Sequence, residues 1–273
     1  MNRETQVRII DLLIDGNTDK ATAILRNAGG HWWKFGSRLI DYIEADYTTS
    51  PPFAVINSIG NIKLPFAEFS TLPGYTCPGA GDCLEYCYSY KAWRYPAAFF
   101  RQVQNSLLIL AGKYDVLRES FDTIKPGAHL RLYVNGDVDS LATLEFWFNC
   151  LESRPDVQAY GYSKSWDIFL SYKGKFPKNY VLNISNGSIY DDAKRMDMLE
   201  LPCTRGEFLG VPIDHKLAGK YGTKEYKQAV GTVWSKPGEK SFLCPGRCGT
   251  CTKSTHACGD HRFDDIPILI GIH

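Results

Sequence analysis

The chain has 273 residues, 44% of them hydrophobic and 13% aromatic, which supports a sizeable core and argues against disorder. Its 31 basic and 30 acidic residues leave a formal charge of +1, so the charge balance does not mark a generic polyanion binder. The length suits one large α/β domain, or a domain with a small appendage.

The first apolar run is short and broken by Asp11, which fits neither a signal peptide nor a membrane span. The expected location is therefore cytoplasmic, where thiols stay reduced and structural disulfides are disfavoured. Nine cysteines, an odd number, cannot all pair within one chain.

Residues 1–50 read as an N-terminal helical extension. Val7, Ile10, Leu13 and Ile14 share a helical face, and Asn17 or Thr18 caps a second helix carrying Ala21, Ile24 and Leu25 before Gly29 and Gly30. A third helix is expected over 37–46. Its plain role is an extra packing layer. Pro51 and Pro52 mark a break, and 51–273 reads as a cysteine-rich, metal-binding domain.

Beyond the break, short apolar runs at 54–59, 130–134, 157–162, 180–184, 208–211, 229–234 and 268–272 read as strands, with the clearest helices at 99–117 and 140–151. Strands alternating with helices imply a parallel sheet, and roughly six or seven repeats favour a (β/α) barrel or partial TIM-like barrel. No GxGxxG follows a strand, which weakens a dinucleotide-binding reading. Three strand exits are polar: Asn135, Gly136 and Asp137; Ser163 and Lys164; Ser185 and Asn186. In a parallel barrel these meet on one face, where active sites gather. Asn, Gly, Asp and Ser are also ordinary turn residues. Asp137, Lys164 and Asn186 are the candidate catalytic groups, with Lys164 suited to a substrate carboxylate or phosphate or, more plainly, to a salt bridge with Asp137 or Asp139.

Seven of the nine cysteines fall in two clusters. Cys77, Cys83 and Cys87 have the spacing C-x5-C-x3-C, so Cys83 and Cys87 fit one helical turn and the glycines after Pro78 let Cys77 curl back. Three thiolates from one loop suit three irons of a cubane cluster, most simply 4Fe–4S, with the fourth iron open or held remotely. Structural zinc would need a fourth ligand. Tyr75, Tyr86, Tyr88, Tyr90, Trp93 and Tyr95 could shield such a cluster, or simply pack the core. Radical S-adenosylmethionine enzymes also use a three-cysteine loop, commonly spaced C-x3-C-x2-C. This spacing differs, so S-adenosylmethionine binding stays open.

Cys244, Cys248, Cys251 and Cys258 follow as C-x3-C-x2-C-x6-C, with His256 and His261 as spare ligands and Arg247, Lys253 and Arg262 to offset charge. Four thiolates satisfy tetrahedral zinc or a second iron–sulfur cluster. One of them could instead complete the first cluster if this loop folds over the barrel mouth. Cys150 reads as a buried small hydrophobe and Cys203 as a loop residue. His129 opens a strand, His31 precedes two tryptophans and His273 closes the last strand. HExxH, GxSxG, Walker A and zinc-deaminase patterns are absent.

Together, TCPGAGDCLEYCYSYK, RLYVNGDVDS, YGYSKSW and CPGRCGTC resemble a tailed-phage family, the gene product 88 proteins, over about residues 53–273. The resemblance implies an iron–sulfur protein on a barrel-like scaffold distantly related to radical S-adenosylmethionine enzymes, in a host cytoplasm, with no established reaction. Gly136–Asp137 matches a strand-end motif of the family, whereas Asp139–Ser140 stands where an aromatic is expected. The leading expectation is a redox or radical-type iron–sulfur protein acting on a small molecule or a redox partner. The rivals are a zinc-stabilised binding module for nucleic acid or a protein, and a structural protein whose cluster only staples the fold. A membrane role is not expected, and the oligomeric state stays open.

Overall fold

In the computed structural model, which describes residues 1–60, 64–234, 240–249, 251 and 256–272, seven parallel strands form a half-barrel sheet backed by helices. The strands are β1 (Ala67–Glu68), β2 (His129–Leu132), β3 (Gln158–Ser163), β4 (Tyr180–Ser185), β5 (Thr204–Pro212), β6 (Phe242–Leu243) and β7 (Ile268–Ile272). Their order is β1-β2-β3-β4-β5-β7-β6, and every pair is parallel. Among the described residues no pairing joins β1 to β6, so the sheet does not close into a full barrel. Lys253 and His273, noted in the sequence, lie outside the described residues.

Parallel strands need long return connections, and helices supply them. These are α4 (Pro96–Leu110), α5 (Tyr114–Asp122), α6 (Leu141–Ser153), α7 (Trp166–Ser171) and α8 (Asp192–Leu199), then α9 (His215–Ala218) and α10 (Lys224–Val233). Alternation along each strand sorts the two faces. Leu130, Leu132, Ala159, Leu182 and Ile184 join one core with the helices. Tyr160, Val181 and Ile268, with the half-buried Tyr162 and Phe208, form a second cluster on the opposite, concave face, covered by Ala257, Cys258 and Phe263.

The N-terminal helices are α1 (Arg3–Ile14), capped by the Asn2 side chain, α2 (Thr18–Ala28) and α3 (Gly30–Glu44). α3 starts earlier than 37, because Gly29 and Gly30 turn the chain at positive φ and bring Trp32 edge-on to Phe99 and Phe100. Ile9, Leu25 and Leu39 share the core of the sheet's helix layer.

Two expected strands are absent. The 54–59 run is mostly bends and serves no ladder beyond one bridge from Asn57 to Glu68. Helix side chains satisfy its backbone instead: Gln104 pairs with both backbone groups of Phe53, Asn105 donates to the Val55 carbonyl, and Ser120 accepts the Ile56 amide. The 229–234 run is the end of α10, where Thr223 caps the helix and Tyr226 and Val230, four apart, face the core. The 99–117 helix divides into α4 and α5 around Gly112 at φ +66.

The C-terminal segment is fastened to the concave face by one buried side chain. Arg205, 1% exposed, donates to Asn183 Oδ1 and to the carbonyls of Phe263, Ile266 and Glu207. Asn183 in turn donates to the Gly161 and Cys258 carbonyls. Arg205→Met would strand these acceptors, each unpaired buried group costing about 1–3 kcal/mol. The variant should lose at least about 2 kcal/mol in urea unfolding; a loss within experimental error would show that the fastening contributes nothing net.

Candidate metal centre

The loop leaving β1 carries Cys77, Cys83 and Cys87 across the C-terminal edge of the sheet. Glycines let it lie against neighbouring backbone. A Cβ at Gly79 would overlap the Lys164 carbonyl, and Gly136, at φ +77, has no room for one beside the Thr71 hydroxyl. Backbone bonds then fix the loop to the β4 exit: the amides of Gly81 and Cys83 both reach the Gly187 carbonyl at 3.0 and 3.3 Å, and Ile189 donates to Gly79 at 3.1 Å.

Asp137 lies under this loop, 5% exposed. One carboxylate oxygen accepts the Val138 amide at 2.8 Å and the other the Lys164 amide at 2.7 Å, with the Ser163 hydroxyl also engaged. Burial pushes its acidity below that of an ordinary carboxylate, raising the pKa against those hydrogen bonds. The expected Lys164–Asp137 salt bridge is instead a backbone contact, and among the described residues the Lys164 ammonium has no ion pair within bonding distance. Its charge nevertheless acts on Cys77, Cys83 and Asp137.

The three thiols share one field. Burial, the Asp137 carboxylate and Cys87 push the Cys77 thiol up to about 12, and burial also raises Cys83. Tyr86 and Tyr90 lie against them, each feeling the charge of Cys87. The other aromatics do different work. Trp93 is buried and donates to Gln102, Tyr88 donates to the Val134 carbonyl, Tyr75 donates to Asp11, and Tyr95 is 65% exposed. α1 buttresses the loop directly, with Arg3 over the Tyr90 ring at 3.5 Å and Gln6 donating to the Trp93 carbonyl.

The remaining candidates separate from this site. Asn186 makes a two-point clasp with the backbone of Gly210 at 2.8 and 2.9 Å, so it ties β4 to β5 and is not open to a substrate. Asn135 reaches Ser70. Cys150 and Cys203 are buried in the main core, away from both thiol groups.

Cys244, Cys248, Cys251 and Cys258 occupy the concave face. Cys244 follows β6, Cys258 lies in a 3-10 helix (Ala257–Gly259), and Cys248 and Cys251 act electrostatically on Cys244. His256, 2% exposed, packs at a tilt against the rings of Phe66 and Tyr160 and meets His129 at 3.4 Å. Burial pushes its imidazole down to about 4. His261 pairs with Asp264, and Arg262 with Asp260. Among the described residues, no three His, Cys, Asp or Glu side chains gather tightly enough to hold a single metal ion.

Sequence reading missed Arg131, Tyr160, Tyr162 and Arg205. The signal was period-two alternation: His129 and Arg131 on β2, and Tyr160 and Tyr162 on β3, are alternate residues and therefore face one side. A cleft of about 400 Å³ lined by Lys175, Phe176, Pro202 and His261 opens before β4 and β5, at the opposite edge. It gathers no thiols.

A family model described as gene product 88 matches residues 43–263. No curated protein and no solved structure matches the chain. Among the described residues no helix is long and apolar enough to cross a membrane.

The raised Cys77 pKa gives a direct test on metal-free protein. A thiol at about 12 is ~0.01% thiolate at pH 8, so alkylation of Cys77 should rise about tenfold per pH unit up to pH 11. Gly79→Ala should lift the loop and speed labelling at pH 8 by at least about tenfold. Mass spectrometry of the labelled peptide reads both; a flat pH profile would refute the buried placement.

Proposed function

The chain belongs to the gene product 88 family, and from that premise we propose that it is an iron–sulfur protein of redox or radical type, with Cys77, Cys83 and Cys87 holding a 4Fe–4S cluster. The observation that carries this reading is the convergence of three thiols from one loop at the C-terminal edge of a parallel half-barrel, beside Asp137 and Lys164. Loops at that edge are where barrel-type folds concentrate chemistry.

The donor set fits a cluster in three ways. Thiolates are the customary ligands of iron–sulfur centres. A structural zinc wants four protein ligands, whereas this loop brings three thiols, with Cys87 acting on both Cys77 and Cys83. A cubane can take one thiolate at each of three irons. Three thiols also leave one iron without a cysteine, since both Asp137 oxygens already accept backbone amides.

When bound, the cluster supplies one-electron chemistry. The chain's own residues do the rest. Asp137 holds the β2 and β3 exits in register beneath the loop. Lys164 offers a cation to a substrate carboxylate or phosphate and offsets thiolate charge. Tyr86 and Tyr90 restrict water around the sulfurs, which tunes the potential.

Protein purified without oxygen should be brown and contain iron and acid-labile sulfide, with an electron paramagnetic resonance signal on reduction. S-adenosylmethionine should change that signal if it occupies the open iron. Colourless protein carrying zinc alone would overturn the iron–sulfur assignment. Lys164→Met should retain iron content but lower turnover, or the affinity for an anionic substrate, by about tenfold or more. An unchanged affinity would remove Lys164 from the binding role.

A further inference from the structure

We propose that Cys244, Cys248, Cys251 and Cys258 hold a second, separate iron–sulfur cluster within the concave face of the half-barrel, with the half-buried Arg131 as its counter-cation. This goes beyond the site in the β1 loop and does not depend on it.

The four thiols are drawn from a strand exit, a loop and a 3-10 helix, and the sheet places each end. The Cys244 amide donates to the Leu269 carbonyl at 2.8 Å, and Asn183 takes the Cys258 carbonyl at 2.7 Å. Two sulfurs accept backbone amides: Gly246 donates to Cys244 Sγ and Ala257 to Cys251 Sγ, each at 3.4 Å. Amides aimed at sulfur stabilise the thiolate over the thiol, as ligation requires. Tyr162 hydrogen-bonds Cys258.

The surroundings are incomplete without a guest. Among the described residues, Arg131 Nε and His256 Nδ1 are buried polar atoms with no hydrogen-bond partner, and the buried Tyr160 hydroxyl meets only the Cys248 thiol. Tyr160 is fully buried, His256 is 2% exposed, and the charge of Cys248 acts on both Arg131 and Tyr160. An unpaired buried polar group is destabilising. The sulfides and thiolates of a cluster would supply acceptors for the guanidinium and the phenol. Four thiolates around a 4Fe–4S core also leave net negative charge, which burial tolerates only beside a cation. Arg131 keeps its proton at any ordinary pH and lies 4.6 Å from the Tyr162 ring centroid, against the same thiols. A single tetrahedral zinc would also take four thiolates, and acid-labile sulfide distinguishes the two.

Without metal, burial holds Cys244 up at about 11 and Cys258 at about 12. Loading exchanges S–H bonds for S–Fe bonds and releases the thiol protons to solvent, with two ferrous ions, two ferric ions and four sulfides supplied from outside. Arg131 also touches the first site: it donates to the Tyr88 hydroxyl at 3.4 Å, and Tyr88 directly follows Cys87.

The test uses full-length protein assembled without oxygen from equal amounts of ferrous and ferric iron with sulfide. The triple variant Cys77→Ala/Cys83→Ala/Cys87→Ala should keep about half the wild-type iron and sulfide and a reduced-cluster resonance. Adding Cys248→Ala and Cys251→Ala should remove the rest. In the triple background, Arg131→Met should keep the iron but lower the midpoint potential, because a lost cation disfavours the more negative reduced cluster. A folded triple variant without iron, one holding zinc without sulfide, or an unmoved potential on Arg131→Met would each overturn the proposal. Equal iron in wild type and triple variant would refute the first site while supporting this one. Should the triple variant not fold, fully reduced wild type decides: two interacting spin systems support the second cluster, and one isolated system overturns it.

Discussion

One buried carboxylate organises the C-terminal edge of the sheet. Asp137 accepts the amides of Val138 and Lys164, so the exits of β2 and β3 are tied to each other through a side chain at the point where their backbones diverge. The cysteine loop can then lie flat across those exits, because Gly79 and Gly136 present no side chain to hold it away. A charged group in such a dry position costs free energy unless its hydrogen bonds are complete. Its expense is offset by two amides, the Ser163 hydroxyl and the nearby Lys164 charge. The same desolvation acts on Cys77. The site thus disfavours the thiolate forms of Cys77 and Cys83.

A second constraint lies behind the loop. α4 buries Gln102, Gln104, Asn105 and Ser106, an unusual set for a helix interior. Each has a backbone or indole partner outside the helix: Trp93 for Gln102, Phe53 for Gln104, the Val55 and Ser70 carbonyls for Asn105, and the Leu72 amide for Ser106. These side chains stand in for the strands that irregular segments 53–56 and 70–72 do not have. The loop that carries the first thiols therefore departs from a firmly held base although β1 is only two residues long. α1 adds support from outside the family match, through Arg3, Gln6 and Asp11.

The two cysteine groups emerge as parts of one architecture on different surfaces. The first sits at the strand ends; the second fills the concave face that an incomplete sheet leaves open, where Arg205 and Asn183 fasten the segment in place. Arg131 stands between them, in contact with Tyr88 on one side and near Cys248 on the other.

Spacing and period made much of this legible from the amino-acid order. The cysteine groups, the polar strand exits at Asp137 and Lys164, and the alternation of β2 through β4 all follow from local sequence, because side-chain direction along a strand repeats every two residues. Local sequence misread the runs at 54–59 and 229–234, since short apolar stretches have no period long enough to separate strand from helix or from extended coil. Tertiary structure alone decided which polar groups are consumed. Asn186 looks like a site residue in the sequence but is clasped by Gly210, whereas Arg131 looks like a strand charge but stands half-buried among tyrosines and near Cys248. Hydrogen-bond partners distant in sequence settle such assignments, and so does the failure of the sheet to close, which depends on pairing between its first and last strands.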